Sequence, residues 1–184
     1  MTNIVLIGLR GSGKTEIGRR LAKTMKRSYA DTDREIEKQA HCTTSKLIER
    51  KGWNFFRKIE KYVVRRLCKI PNAVIATGGG AVIDKENAKH FKKHGFFVYI
   101  KLPTEQLVAR LKDDTTRPTL TKAPSLAEEI EQVRAKREPV YLELADLIFE
   151  PSLDTEDPKK DIKTNTAALN LLLEKAHSEF KRPE

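Results

Sequence analysis

The chain has 184 residues, 39% hydrophobic and 34% charged, which is enough apolar material for one core and too much for a disordered chain. Thirty-six basic against 26 acidic residues leave a formal charge of +10, which favours anionic partners. The basic residues are interleaved with Glu and Asp rather than gathered in one block, which argues against nucleic acid and for small anionic metabolites.

No apolar run is long enough to span a bilayer, so no membrane partner is expected. Cys42 and Cys68 have neither a disulfide framework nor metal-ligand spacing. Met1-Thr2-Asn3 leads straight into an apolar run, with no room for a targeting peptide. The expectation is a single domain over residues 1–184, monomeric and cytoplasmic.

Ile4-Val5-Leu6-Ile7, ended by glycine, has the pattern of a buried parallel strand. Ile17, Leu21 and Met25 follow at helical spacing. Ser28-Tyr29-Ala30 is a weaker strand candidate leading into Asp31-Thr32-Asp33, read as a continuing extended segment. Phe56, Ile59, Val63 and Leu67 mark a second helical stripe. Ala73-Val74-Ile75-Ala76 is a strand ending in Gly78-Gly79-Gly80, and Phe96 to Ile100 is another, stopped by Pro103.

Residues 112–124 are polar, aperiodic and hold two prolines, the character of an active-site lid with Arg117 in its middle. Ser125 with Glu128 forms a capping box ahead of Leu126, Ile130 and Val133. Asp146 to Phe149 is a last strand, and Leu169, Leu172 and Leu173 mark a closing helix with a polar tail over about 177–184. Alternating strands and helices predict an α/β fold: a parallel sheet with helices on both faces and ligands beyond the carboxyl ends of its strands.

Gly8-Leu9-Arg10-Gly11-Ser12-Gly13-Lys14-Thr15 fits the P-loop pattern of glycine, four residues, then Gly-Lys-Ser/Thr, and it lies between a predicted strand and helix. Glycines let the backbone aim several N–H groups at one anion, and the helix dipole adds positive potential beneath it. Lys14 then reaches the outer phosphates and the Thr15 hydroxyl binds Mg²⁺. No Asn-Lys-x-Asp segment for guanine is present, nor an apolar strand ending in Asp-Glu as in motor ATPases. In an extended Asp31-Thr32-Asp33 the two carboxylates point the same way, one for Mg²⁺ and one for a substrate hydroxyl, unless they merely cap a helix. Spacing alone does not say whether Asp31 or Asp33 takes which role.

The ordered series GLRGSGKT, DTD, FRKIE, TGGGAV, TTRPTL and AKREPVY resembles the shikimate kinases from residue 4 to about 141. That resemblance implies a three-layer α/β/α P-loop kinase fold with a five-stranded parallel sheet, a lid and a substrate-binding helical segment. It implies ATP- and Mg²⁺-dependent phosphorylation of the shikimate 3-hydroxyl, a step towards chorismate and the aromatic amino acids. By the resemblance, Asp33 binds the ring hydroxyls and orients the attacking one, which leaves Asp31, nearer the strand end, for the metal with Thr15. Arg57 and Arg137 grip the carboxylate, with Glu60 holding Arg57, and Gly79 and Gly80 bring backbone close to the ring.

On the nucleotide side it implies Gly11, Ser12, Gly13, Lys14, Thr15 and Glu16 around the phosphates. Arg117 reaches in from the lid, Arg110 lies against adenine and Pro158 lines the adenine pocket. Two departures stand out. Gly52-Trp53-Asn54-Phe55 replaces the Gly-Glu that many members carry before Phe-Arg, and the segment after the last strand is acidic from Asp154 to Asp157. Two alternatives remain: a related kinase for another hydroxy acid such as gluconate, or a non-catalytic module that senses shikimate.

Overall fold

A computed structural model of the chain describes residues 2–114, 120–121, 123–152 and 158–179. The elements run β1 (Asn3–Ile7), α1 (Lys14–Thr24), β2 (Ser28–Asp31), α2 (Thr32–Ala40), α3 (Thr44–Leu67) and β3 (Ala73–Ala76). They continue with α4 (Lys85–His94), β4 (Gly95–Ile100), α5 (Thr104–Leu111), α6 (Leu126–Leu144), β5 (Leu147–Phe149) and α7 (Pro158–Glu179). All five expected strands are present and pair in parallel in the order β2-β3-β1-β4-β5. The chain leaves β1 towards one edge, returns through β3, and crosses to β4 on the other side. The residues following β1 therefore sit at the switch point where open parallel sheets bind ligands.

Strand alternation divides the core into two layers. Val5 and Ile7 of β1 face one side, where Ile36, Phe56, Val63, Phe91, Ile130 and Tyr141 bring α2, α3, α4 and α6 onto the sheet. Ile4 and Leu6 face the other, against Ile17 and Leu21 of α1 and Leu169 and Leu173 of α7. Leu172, expected in that stripe, points outward and is 39% exposed, because one position along a helix turns a side chain by about 100°.

Two helices differ from the sequence expectation in ways that matter for the site. α2 begins at Thr32, so Asp31-Thr32-Asp33 is not one extended segment: Asp31 ends β2 and caps the helix, accepting from the Asp33 and Arg34 amides at 3.0 and 3.2 Å. α3 starts twelve residues before Phe56 and is broken at Gly52, whose φ of 76° and ψ of 168° suit glycine. The break starts a fresh helical segment at Trp53. Ser125 caps α6 as expected, accepting from the Glu128 amide at 3.2 Å.

Asn3 ties the central strand to its surroundings. Its side chain is buried, accepts from the Ala73 amide at 2.8 Å and donates to the Cys68 carbonyl at 3.4 Å. Asn3→Ala leaves both groups buried without partners, which should cost about 1–3 kcal/mol. In a thermal melt this should appear as a loss of several degrees, at roughly 2–4 °C per kcal/mol for a chain of this size. An unchanged midpoint would show that the bridge carries no stability.

Candidate active site

Local backbone demands build the loop after β1. Gly11 and Gly13 have φ of 81° and 92°, a left-handed region where a side chain is strained, and Gly13 serves as the N-cap of α1. Lys14, the first residue of α1, is buried. Its Nζ donates to the carbonyls of Gly8 and Leu9 at 3.0 and 2.7 Å and lies 3.2 Å from Ser12 Oγ. The lysine thus holds the loop closed on itself as well as lining the pocket beside it.

That pocket is bordered by Gly13, Lys14, Thr15, Glu16, Asp31 and Arg110. Arg110 donates to the Gly11 carbonyl at 3.1 Å, so α5 is fastened to the loop. Glu16 forms an exposed ion pair with Arg19 at 2.9 Å.

Asp31 performs two tasks with two oxygens. Oδ1 caps α2, while Oδ2 accepts from the Thr15 hydroxyl at 2.9 Å and from the Tyr29 hydroxyl at 3.2 Å. Burial and the Asp31 carboxylate both push the Tyr29 phenol upward, which keeps it a proton donor at neutral pH. A hydroxyl and a carboxylate side by side in a phosphate-binding pocket are hard oxygen donors of the kind Mg²⁺ takes, its other ligands coming from phosphate and water. The residues present therefore fit that ion.

Across the loop lies a second pocket, lined among others by Asp33, Trp53, Phe56, Arg57, Leu120 and Arg137. Its floor is the glycine strip after β3. A Cβ on Gly78 would strike the Asp33 carboxylate; one on Gly79 would come 3.3 Å from Arg137 Nη1; one on Gly80 would come 2.8 Å from Arg57 Nη2. Three polar side chains from α2, α6 and α3 therefore close on three consecutive residues that have no side chain. Gly78 and Thr32 were not singled out in the sequence. Thr32 is buried, and its hydroxyl accepts from the Gly78 amide at 2.7 Å, locking the start of α2 to the strip. Only the DTD and GGG spelling hinted at this bond.

The two arginines are held differently. Arg57 pairs with Glu60 at 2.5 Å and lies 5.5 and 5.2 Å from the ring centres of Trp53 and Phe56, within cation–π range. Trp53, which departs from the pattern of many relatives, thus packs on the guanidinium. Glu60 is buried, so desolvation pushes its carboxyl up, and the Arg57 guanidinium pulls it back down. Arg137 lies beside Tyr141, whose hydroxyl donates to the Gly79 carbonyl. Burial pushes the Tyr141 phenol up to about 12 against the opposing pull of Arg137. Tyr99 of β4 donates to Glu138 at 2.8 Å and packs its ring 5.2 Å from that of Tyr141, so the sheet fixes the angle of α6.

Asp33, Arg57, Gly79, Gly80 and Arg137 are thus brought together, as are Gly11, Ser12, Gly13, Lys14, Thr15, Glu16, Asp31 and Arg110. Arg117, with residues 115–119 and 122 of the expected lid, lies outside the described residues, as do residues 153–157 and the side chain of Pro158.

Comparison with known proteins finds one family on every route. The family model described as "Shikimate kinase" matches residues 10–169. A protein of Serratia proteamaculans named shikimate kinase 2 is 35% identical over 171 residues, covering 91% of this chain and 95% of its own. A shikimate kinase of Caldicellulosiruptor saccharolyticus is 40% identical over 160 residues, covering 85% and 92%. Among solved structures, the shikimate kinase from Acinetobacter baumannii in complex with shikimate superposes with a TM-score of 0.83 at 30% identity, covering 99% of this chain and 96% of that one.

The glycine strip yields a test. Gly78→Ala should force Asp33 out of position and lower turnover about 100-fold, the scale of one misplaced polar contact. ADP affinity, measured by calorimetry, should stay within about twofold because the loop after β1 is untouched. Full turnover in this variant would show that Asp33 tolerates displacement and does not depend on the strip.

Proposed function

Because the chain belongs to the shikimate kinase family, we propose that it transfers the γ-phosphoryl group of ATP to the 3-hydroxyl of shikimate, giving shikimate 3-phosphate and ADP. The observation that carries this reading is the pairing of a phosphate-binding loop with a second pocket where a carboxylate and two guanidiniums meet over bare backbone. The reading places the product on the route to chorismate and the aromatic amino acids. It makes residues 1–184 one catalytic domain, acting as a monomer in the cytoplasm. No described helix is long and apolar enough to cross a membrane.

The substrate's carboxylate pairs with Arg57 and Arg137, whose planar donor forks match its two oxygens. Trp53 and Phe56 bring their rings within cation–π range of the Arg57 guanidinium and Glu60 pairs with it, so little side-chain freedom is lost on binding. The ring rests on Gly79 and Gly80, and Asp33 accepts the hydrogen bond of the attacking hydroxyl and then its proton. Phosphates of ATP sit on the amides of Gly11 to Thr15, with Lys14 released from the loop carbonyls towards them and Arg110 at the nucleotide's other end. Thr15 and Asp31 would hold Mg²⁺, which supplies positive charge to the phosphate oxygens when bound. Phosphoryl transfer asks the protein for position and charge more than for covalent chemistry, and these residues offer both.

ADP release should be measured with ATP and Mg²⁺ against shikimate, quinate, gluconate and no acceptor. Shikimate should support turnover well above the no-acceptor rate. Faster turnover of gluconate would move the enzyme to another hydroxy acid, and shikimate binding without turnover would make it a sensor. The single tryptophan, Trp53, stands in the acceptor pocket and reports that binding by its fluorescence.

The two aspartates separate by metal titration at saturating shikimate. Asp33→Asn should lose about 100-fold or more in turnover and gain nothing from added Mg²⁺. Asp31→Asn keeps a good helix cap but weakens the metal site, so excess Mg²⁺ should restore part of its rate. Rescue of the Asp33 variant alone would exchange the two roles.

A further inference from the structure

Three residues border both pockets: Asp33, Gly79 and Arg10. Such residues mark the seam at which a donor phosphate in one pocket meets an acceptor hydroxyl in the other. Asp33 brings the carboxylate and Gly79 only backbone. Arg10, the second variable position of the phosphate loop, brings a guanidinium.

That guanidinium is not a solvated surface cation. Its Nη2 lies 2.7 Å from Asp114 Oδ2 and donates to the Asp114 carbonyl at 3.2 Å, and the side chain is 20% exposed. Its Nε is buried with no hydrogen-bond partner among the described residues. A buried donor without an acceptor is destabilising, and an anionic oxygen arriving at the seam relieves it. The backbone of Arg10 also lies close to the strip, its amide nitrogen 3.4 Å from where a Cβ on Gly79 would stand. The loop and the glycine strip are thus packed directly on each other at this residue.

We propose that Arg10 is a further catalytic cation of this enzyme, donating to the phosphoryl group as it passes from ATP to the acceptor; the inference rests on the kinase reading above. In that step the acceptor oxygen bonds to the γ-phosphorus while the bond from that phosphorus to the β–γ bridging oxygen breaks. The bridging electron pair departs on ADP and the hydroxyl proton passes to Asp33. Negative charge is spread over the phosphoryl oxygens at mid-transfer, and a guanidinium fixed at the seam acts on that charge more than on either ground state. Asp114 balances Arg10 before the phosphates arrive.

The rival explanation is that Arg10 only anchors Asp114 beyond the end of α5. Loss of an anchor would weaken ADP binding and raise both KM values as well as lowering kcat, whereas loss of a cation acting on the phosphoryl group in transfer lowers kcat alone; Arg10→Gln removes the charge and Arg10→Lys keeps one. Each variant should be assayed for kcat and for both KM values, and titrated with tetrafluoroaluminate in the presence of Mg²⁺, ADP and shikimate as a mimic of the phosphoryl group in transfer. Arg10→Gln should lose about 100-fold in kcat and a similar factor in tetrafluoroaluminate affinity, the scale of one removed transition-state contact. Its ADP affinity and both KM values should stay within about threefold, which also shows that it is folded. Arg10→Lys, which keeps a cation at the seam, should recover at least about tenfold of that kcat loss.

Near-normal kcat in Arg10→Gln, or a loss of ADP affinity as large as the loss in kcat, would overturn the proposal. An unaltered enzyme with no shikimate-dependent turnover would overturn both readings. A fully active Arg10→Gln would overturn this one alone.

Discussion

A Cβ on Gly78 would run into the Asp33 carboxylate, one on Gly79 would crowd Arg137, and one on Gly80 would crowd Arg57, so the acceptor pocket depends on three consecutive residues without side chains. This constraint reaches well beyond the strip. Thr32 bonds the strip from α2, Tyr141 bonds it from α6, and Arg10 packs on it from the loop after β1. Elements distant in sequence are therefore registered against one short stretch of backbone. The strip follows β3, which pairs with β1 and β2 on either side, so its own position is set by the sheet. Rigid backbone of this kind can hold opposing charges within the narrow tolerances that phosphoryl transfer requires.

Electrostatics at the acceptor pocket follow from burial as much as from charge count. Glu60 sits almost wholly out of water, and its carboxylate is sustained by the Arg57 guanidinium against a strong desolvation penalty. Trp53 and Phe56 also bring their rings within cation–π range of Arg57. The helical segment that carries them starts afresh after the break at Gly52. A cation held by one buried carboxylate and two rings still carries positive potential towards the pocket, which suits an anionic acceptor.

On the nucleotide side the protein uses single groups for more than one purpose. Lys14 closes the loop through the carbonyls of Gly8 and Leu9, so the charge proposed to meet phosphate also supports the loop's own backbone. Asp31 caps α2 with one oxygen and faces Thr15 with the other. Capping fixes the carboxylate's orientation, and a fixed carboxylate is a better metal ligand than a mobile one because no rotamer freedom remains to be lost. The structural and functional readings of this aspartate are therefore complementary.

The sequence by itself determined the α/β class, all five strands and the phosphate loop. Each of those rests on local rules: apolar runs ended by glycine, a 3.6-residue stripe, a glycine spacing that only one kind of loop satisfies. The shikimate kinase resemblance added Asp33, Arg57 and Arg137 through the order of their motifs. Tertiary structure alone decided how these parts meet. The DTD segment reads as extended because its propensities are weak, yet α2 begins inside it once Asp31 can cap the helix and Thr32 can bond Gly78. Arg10 occupies a variable position of the loop, and nothing in its neighbours reveals that the fold carries it to the seam between two pockets. Sequence spacing constrains neighbours along one element, whereas contacts between elements depend on how the sheet and its two helical layers pack, and a charge or a glycine acquires its role from what that packing brings against it.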